Sequence, residues 1–536
     1  MSRNDFLKGA AILGIAGICV KVLGAFYRIP LGNIIGDEGM GYYQASYPLY
    51  NLMFAISTSG IPLAIAKLVS EKRALGDYKG AQKVFQVSFL GLILGGILTS
   101  LIVFFNASFI VEKIGSTNAY YSMIALTPAL LFVPIMSAFR GYFQGRQTMV
   151  PTAISQVLEQ LFRVVSGLSL TIILLKKGLP MAAGGASFGA SVGAVIGTFT
   201  MIVIYFKKRK FIKVELDSSS YYKKEKISNI IKRILSIAIP ITIGASVVPL
   251  LNTIDVMIVI RRLQTIGFSE AEATSLYGQL SGFAQTLINF PQVFSVALAM
   301  SLVPAVSASS AKKSYSQIKS ITKSGVRVTL LMGLPAALGL YTLATPIIKL
   351  LYFSNPLEVQ ESAGAILKIL SFSVIFLTLV QSLTAILQGL GKPLIPVRNL
   401  FIGGLIKVIL TYILTGIESI GIKGAAISTI VAYLIASILN LIEVRRHTKT
   451  HFSFINIFVK PVISVSIMTI IVKYSHNYLS YYLTSKVTTI ISVLLGGIIY
   501  GLSLLITGAV TENDFKLIPA GKKISKILKS FGLLKG

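Results

Sequence analysis

The chain has 536 residues, 54% of them hydrophobic and only 13% charged, about half the charged share of a soluble domain. With a mean hydropathy of +0.77, this composition excludes a water-soluble enzyme or binding module. The formal charge of +31 would suggest nucleic acid in a soluble protein, but here the Lys and Arg fall mostly in alternate loops and report topology, so no nucleic-acid partner is expected.

Apolar runs of about 20 residues, the length that crosses a core of roughly 30 Å, recur from Leu7 to Ile506. They predict an all-α polytopic membrane protein of fourteen transmembrane helices, at 7–31, 42–69, 84–109, 119–143, 151–175, 183–206, 233–260, 273–305, 324–350, 362–389, 397–416, 422–443, 455–474 and 487–508. The first follows Arg3 and Lys8 as a signal peptide would, yet it runs on through Lys21 to Arg28 without a small-residue cleavage site and reads as a retained helix. It also holds the one cysteine, Cys19, so neither an intramolecular disulfide nor a thiolate metal cluster is expected.

Between the sixth and seventh spans, 206–233 carries ten Lys and Arg against Glu215, Asp217 and Glu225, which marks a cytoplasmic segment. Basic residues also mark 72–83, 140–146, 312–323, 392–398, 445–449 and the tail from Lys516 to Lys535. With fourteen alternating spans, both termini are expected in the cytoplasm of a multi-pass cell-membrane protein. The opposite loops hold Asp37 and Glu38, Glu112 and Lys113, or Glu270 and Glu272, and Arg261 and Arg262 are the main exception.

The halves echo each other at an offset of about 240 residues. Phe139-Arg-Gly-Tyr-Phe-Gln-Gly145 before Pro151 matches Thr384-Ala-Ile-Leu-Gln-Gly389 before Pro396, and Val69-Ser70 with Tyr78 matches Val306-Ser307 with Tyr315. Six spans per half from the same side make parallel repeats. The expected domains are an N-terminal lobe over 1–206, a basic cytoplasmic linker over 207–232, a second lobe over 233–450, an added helix pair over 451–510 and a basic tail over 511–536.

A charge at the centre of a spanning helix costs about 2.5–3.5 kcal/mol on insertion scales, so intramembrane ionisable residues face a cavity or a partner. Lys21 and Arg28 are two turns apart on one face, with Gly24 between them; they either line a cavity, or snorkel and pair structurally. Glu159 and Arg163, spaced i and i+4, can neutralise each other. Lys407 sits where the repeat places Arg163 within a residue, and Lys67 on the second span joins it as a candidate ligand for an anion. Asn51, Asp255 and Asn289 are further cavity or ion-pair candidates, with Asp255 open to either a coupling cation or an interfacial ion pair. Gly24, Pro62, Pro291 and Pro304 are candidate hinges, although ordinary kinks would give the same sequence. Gly185, Gly189, Gly193 and Gly197 form a small-residue stripe for close helix packing.

Enzyme signatures are missing from the sequence. His447, His451 and His476 make no metal-ligand pattern, and neither a phosphate-cradling loop nor a nucleophile elbow is present. No catalytic residue, metal or cofactor is expected.

Phe6-Leu-Lys-Gly9, Lys21-Val-Leu-Gly24 with Arg28, Gly36-Asp-Glu-Gly39, Gly60-Ile-Pro-Leu-Ala-Ile-Ala-Lys-Leu-Val-Ser70, Arg140-Gly-Tyr-Phe-Gln-Gly145 and Pro151 together resemble the polysaccharide biosynthesis, SpoVB-like and MurJ-like branch of the multidrug/oligosaccharidyl-lipid/polysaccharide (MOP) exporter superfamily. The likeness covers nearly the whole chain. It implies two six-helix lobes around a cavity, an added helix pair that guides a polyprenyl tail, and flipping of a lipid-linked cell-wall or polysaccharide precursor such as lipid II. The expected partners are a polyprenyl-linked oligosaccharide, membrane lipids and cell-wall synthesis enzymes. By resemblance Lys21 and Arg28 hold the pyrophosphate, with lysine where the family has arginine. The eighth span departs from the family, with no arginine around Gln285, Thr286 and Asn289. The competing readings are a cation-coupled multidrug exporter, a membrane-embedded glycosyltransferase or polymerase, and a scaffold of a wall-synthesis complex.

Overall fold

A chain in hydrocarbon has no water for its backbone, so each crossing segment must bond within itself or close into a barrel. The computed structural model describes residues 3–219, 225–453, 455–510 and 514, and every regular element among them is helical. Lys223 and Lys224 of the linker, and the basic tail after Val510 apart from Asp514, lie outside the described residues.

Twelve helices are long and apolar enough to cross a membrane, or thirteen when the pair Leu357–Leu370 and Ser373–Gly389, bent by 45°, counts as one span. One of them, Ile12–Ala74, has 63 residues, about 95 Å of helix against a core of about 30 Å. It breaks at Gly36 (φ 65°, ψ −170°), a backbone region that is essentially glycine-only. The twelve to thirteen candidate spans come close to the fourteen that the apolar runs predict. Pro30 and Pro48 remain inside this helix, as Pro291 and Pro304 do in theirs, so none of these prolines ends a helix.

The chain forms two compact units, Met1–Gly278 and Gln279–Gly536. The first holds α1 (Arg3–Thr58), α2 (Gly60–Ala74), α3 (Tyr78–Phe105), α4 (Ala107–Ile114), α5 (Tyr120–Gly145), α6 (Val150–Leu175), α7 (Leu179–Lys207), α8 (Arg209–Asp217), α9 (Ile227–Thr265) and α10 (Glu270–Tyr277). Its boundary lies beyond the basic segment because α9 packs on α1 and α2. A Cβ at Gly60 would stand 2.2 Å from the Ala238 carbonyl oxygen on α9. Arg261, which breaks the charge pattern, donates to the carbonyls of Glu112 and Lys113 in the last turn of α4, where a cation offsets the helix dipole.

The α7 glycine stripe meets the backbone of α6. Ideal Cβ atoms at Gly185, Gly189 and Gly193 would lie 2.9 Å from Leu170 O, 2.5 Å from Arg163 O and 2.5 Å from Glu159 O. Any side chain there would push the helices apart.

The second unit holds α11 (Gln285–Ala311), α12 (Tyr315–Thr342), α13 (Ala344–Leu351), α14 (Leu357–Leu370), α15 (Ser373–Gly389), α16 (Leu394–Thr415), α17 (Ile422–Thr448), α18 (Lys460–Leu479) and α19 (Ser485–Thr507). The last two pack on α12, where Val465, Met468, Val472 and Tyr500 join its core and the Tyr500 hydroxyl donates to Leu331 O at 2.8 Å. The internal repeat appears as one contact made twice. A Cβ at Gly145 would lie 2.8 Å from the Val69 Cβ, and one at Gly389 would lie 2.8 Å from the Val306 Cβ.

The two acids Glu215 and Glu225 fasten the basic segment to the first unit. Glu215 takes both guanidinium nitrogens of Arg73, at 2.7 and 3.0 Å, and Arg146 at 2.7 Å. Glu225 accepts from Lys72 at 3.0 Å, beside the 3.0 Å bond from Lys72 to Asp77. Burial would raise the pKa of Glu215, but hydrogen bonds and charge from Arg73 and Arg146 hold it below its ordinary value.

Two predictions follow from this packing. Gly193→Val should destabilise the chain by about 1–3 kcal/mol as overpacking, whereas Gly91→Ala, in open space, should be close to neutral; thermal unfolding in detergent compares them. Because folding lowers the Glu215 pKa, its stabilisation is full above the unfolded-state carboxylate range and is lost as pH falls through the lower folded-state value. Glu215→Gln should therefore unfold earlier than wild type at pH ~7, by about 2 kcal/mol, and the two should converge in acid. Equal pH dependence of the two proteins would contradict this.

Candidate substrate-binding site

Beyond Gly36, α1 carries Tyr43, Tyr47, Tyr50 and Phe54 at spacings that place them on one helix face. Successive ring centroids are 4.6, 5.4 and 5.9 Å apart. Tyr27, from before the break, meets Tyr43 edge-on at 6.3 Å, and its hydroxyl donates to Ala186 O on α7 at 2.9 Å. The α1 limbs on either side of the glycine thus share one aromatic wall.

Arg163 on α6 reaches this wall. Its Nη2 donates to the Tyr50 hydroxyl at 3.1 Å and to Glu159 at 3.4 Å. The other Glu159 oxygen accepts from Arg140 Nη2 at 3.0 Å, and Arg140 Nε donates to Ser155 Oγ at 2.9 Å. Glu159 and Arg140 are 7% and 8% exposed and the Arg163 side chain is 16% exposed, so two guanidinium groups share a single carboxylate and the cluster keeps one positive charge. Among the described residues Arg163 Nε has no hydrogen-bond acceptor. A buried arginine with a spare donor can take a phosphate oxygen.

Arg28 is half-buried on α1, and both it and Arg163 lie within electrostatic reach of the Tyr27 hydroxyl. Gly24 faces α6: its Cβ would stand 3.4 Å from Gln160 Nε2. Lys21 is exposed, two turns before Arg28. The structure therefore brings Gly24, Arg28, Glu159 and Arg163 to the packed region of α1 and α6.

The remaining candidates make other contacts. Lys67 is exposed and 3.9 Å from Glu71, and Asn51 is exposed on α1. Pro62 is buried under Gly141, whose Cβ would lie 2.7 Å from the Pro62 carbonyl oxygen, so it is a packing contact. Asp255 is buried on α9. Asn289 and Lys407 belong to the second unit. Asn289 Oδ1 accepts from Gln285 at 3.2 Å and Gln292 at 3.1 Å, and Lys407 is half-buried on α16. No group of three or more metal-ligating side chains occurs among the described residues.

Arg140 and the tyrosine wall were not singled out from sequence. Arg140 counts there with Arg146 as charge flanking a span, but α5 continues to Gly145 and turns it inward. The wall has a visible signal in its four-, three- and four-residue spacing, which an ordinary aromatic core would share.

Residues 6–310 match the polysaccharide biosynthesis protein family and residues 281–413 match the MatE family. The chain is 30% identical to stage V sporulation protein B of Bacillus subtilis (strain 168) over 447 residues, 83% of this chain and 85% of that one. It is 28% identical to lipid II flippase MurJ of the same organism over 523 residues, 93% and 94% of the two chains. A solved structure of lipid II flippase MurJ in an inward closed conformation shares the fold, with a TM-score of 0.67 at 16% identity over 92% of this chain and 98% of that one. Matched over more than half its length, and with a relative 30% identical over most of it, the chain belongs to the polysaccharide biosynthesis protein family and is a multi-pass membrane transporter of the MOP superfamily.

Proposed function

We propose that this transporter is a flippase that moves a lipid-linked cell-wall or polysaccharide precursor, a polyprenyl-pyrophosphate sugar of the lipid II kind, from the inner to the outer leaflet by alternating access. The observation that carries this reading is the sign of the charge at the site. Arg140 and Arg163 share the one carboxylate of Glu159, and Arg28 lies within electrostatic reach of Tyr27 in the tyrosine wall. A pyrophosphate head carries negative charge that cannot cross hydrocarbon alone, and fixed guanidinium groups in a wet cavity lower that barrier. The tyrosines offer apolar faces with polar edges to a sugar. On this reading Arg28, Arg163 and Lys21 hold the head, and both termini face the cytoplasm. The relative named as a lipid II flippase supports the substrate class. Wall-synthesis enzymes would receive the product.

A drug exporter coupled to a cation would instead place a carboxylate at the site for that cation, and the one in this cluster, Glu159, is already held by two arginines. Depletion of the protein should make lipid-linked precursor accumulate on the cytoplasmic leaflet. Wild type should reverse this, while Arg28→Ala and Arg163→Gln should insert normally and lose at least tenfold in export, about 1.4 kcal/mol. Lys67→Ala, outside the cluster, should export as wild type does. Normal export in depleted cells that lack another flippase would refute the reading, and a Lys67→Ala loss equal to that of Arg28→Ala would displace the site.

A further inference from the structure

Within the first unit, α8 begins just beyond the candidate span Leu179–Lys207, with only Lys208 between them. A helix placed there starts at the membrane surface. One face of it is engaged by the protein. Ile212 is buried, and Glu215, one turn further on, holds Arg73 and Arg146 at 2.7 Å each. These contacts fix the rotation of α8 against the ends of α2 and α5.

The opposite face carries Lys210, Phe211, Lys213 and Val214, which at about 100° per residue fall within one arc of roughly 160°. All four are exposed, Phe211 by 61% and Val214 by 67%. The Arg146 guanidinium stands 5.9 Å from the Phe211 ring and leaves most of that ring uncovered. Lys207 and Arg209 are exposed beside this face, so four cations stand against one exposed acid, Asp217. Among the described residues none of the four cations makes an ion pair. Water would suit the cations alone, but two apolar side chains set among them fit a boundary between headgroups and acyl chains.

We propose that the outward face of α8 binds anionic phospholipids of the leaflet at which α7 ends. Phe211 and Val214 enter the acyl boundary, and Lys207, Arg209, Lys210 and Lys213 take the lipid phosphates. Charge complementarity selects an anionic headgroup over a zwitterionic one, and each cation near the surface adds to that selection. The inner face carries the effect into the fold. Glu215 ties α8 to Arg73 and Arg146, so bound lipid braces the same end of the first unit that those pairs fasten. No residue of this face belongs to the cationic and aromatic cluster, so the inference does not depend on the transported substrate.

The chain contains no tryptophan, so Val214→Trp gives the full-length protein a single fluorescent reporter on this face. In vesicles of phosphatidylcholine and phosphatidylglycerol mixed in equal parts, brominated acyl chains should quench its emission, and more strongly when the phosphatidylglycerol carries the bromine. Lys207→Gln/Lys210→Gln/Lys213→Gln in the same background should remove the difference between the two lipids. Without the reporter, the triple variant should retain several-fold less phosphatidylglycerol than wild type in native mass spectrometry. The substituted side chains are exposed and unpaired, so the variants should fold, with thermal unfolding in detergent unchanged. If an aqueous quencher reaches the tryptophan and brominated lipid does not, the face is solvated or awaits a soluble partner, and the proposal fails. It also fails if both brominated lipids quench alike with and without the three lysines, because the contact is then apolar only.

Discussion

Keeping guanidinium groups inside a hydrocarbon slab is the constraint around which the first unit is organised. An unpaired buried charge costs several kcal/mol, and losing one partner of a buried pair costs about 3–5 kcal/mol. Arg140 and Arg163 meet this cost with one carboxylate, a serine and a tyrosine. Such sharing demands that α5, α6 and α1 be held in fixed register. The glycine stripe of α7 supplies much of that register, because its tightest approaches fall on the carbonyls of Glu159 and Arg163 themselves. Packing and electrostatics therefore act at the same residues. A side chain on the stripe would move the two charged positions along with the helix that carries them.

Glycine does a second job where helices cross. Gly145 on Val69 and Gly389 on Val306 make the same contact in the two units, although few residues around them match. A crossing this close admits no Cβ, so the glycine and the surface it meets are tied to each other while their neighbours can drift. This explains why the repeat survives as scattered short echoes. The break at Gly36 is a third use: its positive φ turns the chain, and the residues on either side then contribute to one aromatic wall.

The all-helical, many-span character was legible because hydropathy over about 20 residues is set by the bilayer itself. The Glu159 and Arg163 pair was legible from i and i+4 spacing, and the α7 stripe from its period of four. What escaped was long-range. Arg140 and Arg146 are equally buried, and tertiary packing alone gives one Glu159 on α6 and the other Glu215 on α8; no local pattern encodes that. The prolines were natural candidates for breaks, but inside α1 and α11 the helices continue through them, because neighbouring groups can satisfy the freed carbonyls. The compact unit reaches Gly278 because α9 packs against α1 and α2, a choice of partner that hydrophobic periodicity cannot express.

The charge of the cluster bears on how a transport cycle of the proposed kind would draw on the membrane potential. Moving one charge through the field is worth about 2.3 kcal/mol per 100 mV. With Glu159 engaged twice, the cluster, Arg28 and Lys21 together carry three positive charges, most of which a pyrophosphate head of about two negative charges would neutralise. A loaded site would then move through the field at a smaller electrical cost than an empty one. The empty site would keep its positive charge, and an inside-negative potential would draw it inward. The voltage would thus act most on the return of the unloaded carrier and favour outward delivery without a separate ion site. That asymmetry depends on Glu159 being shared by its two arginines, which ties the energetics of the cycle to the same three residues that order the helices.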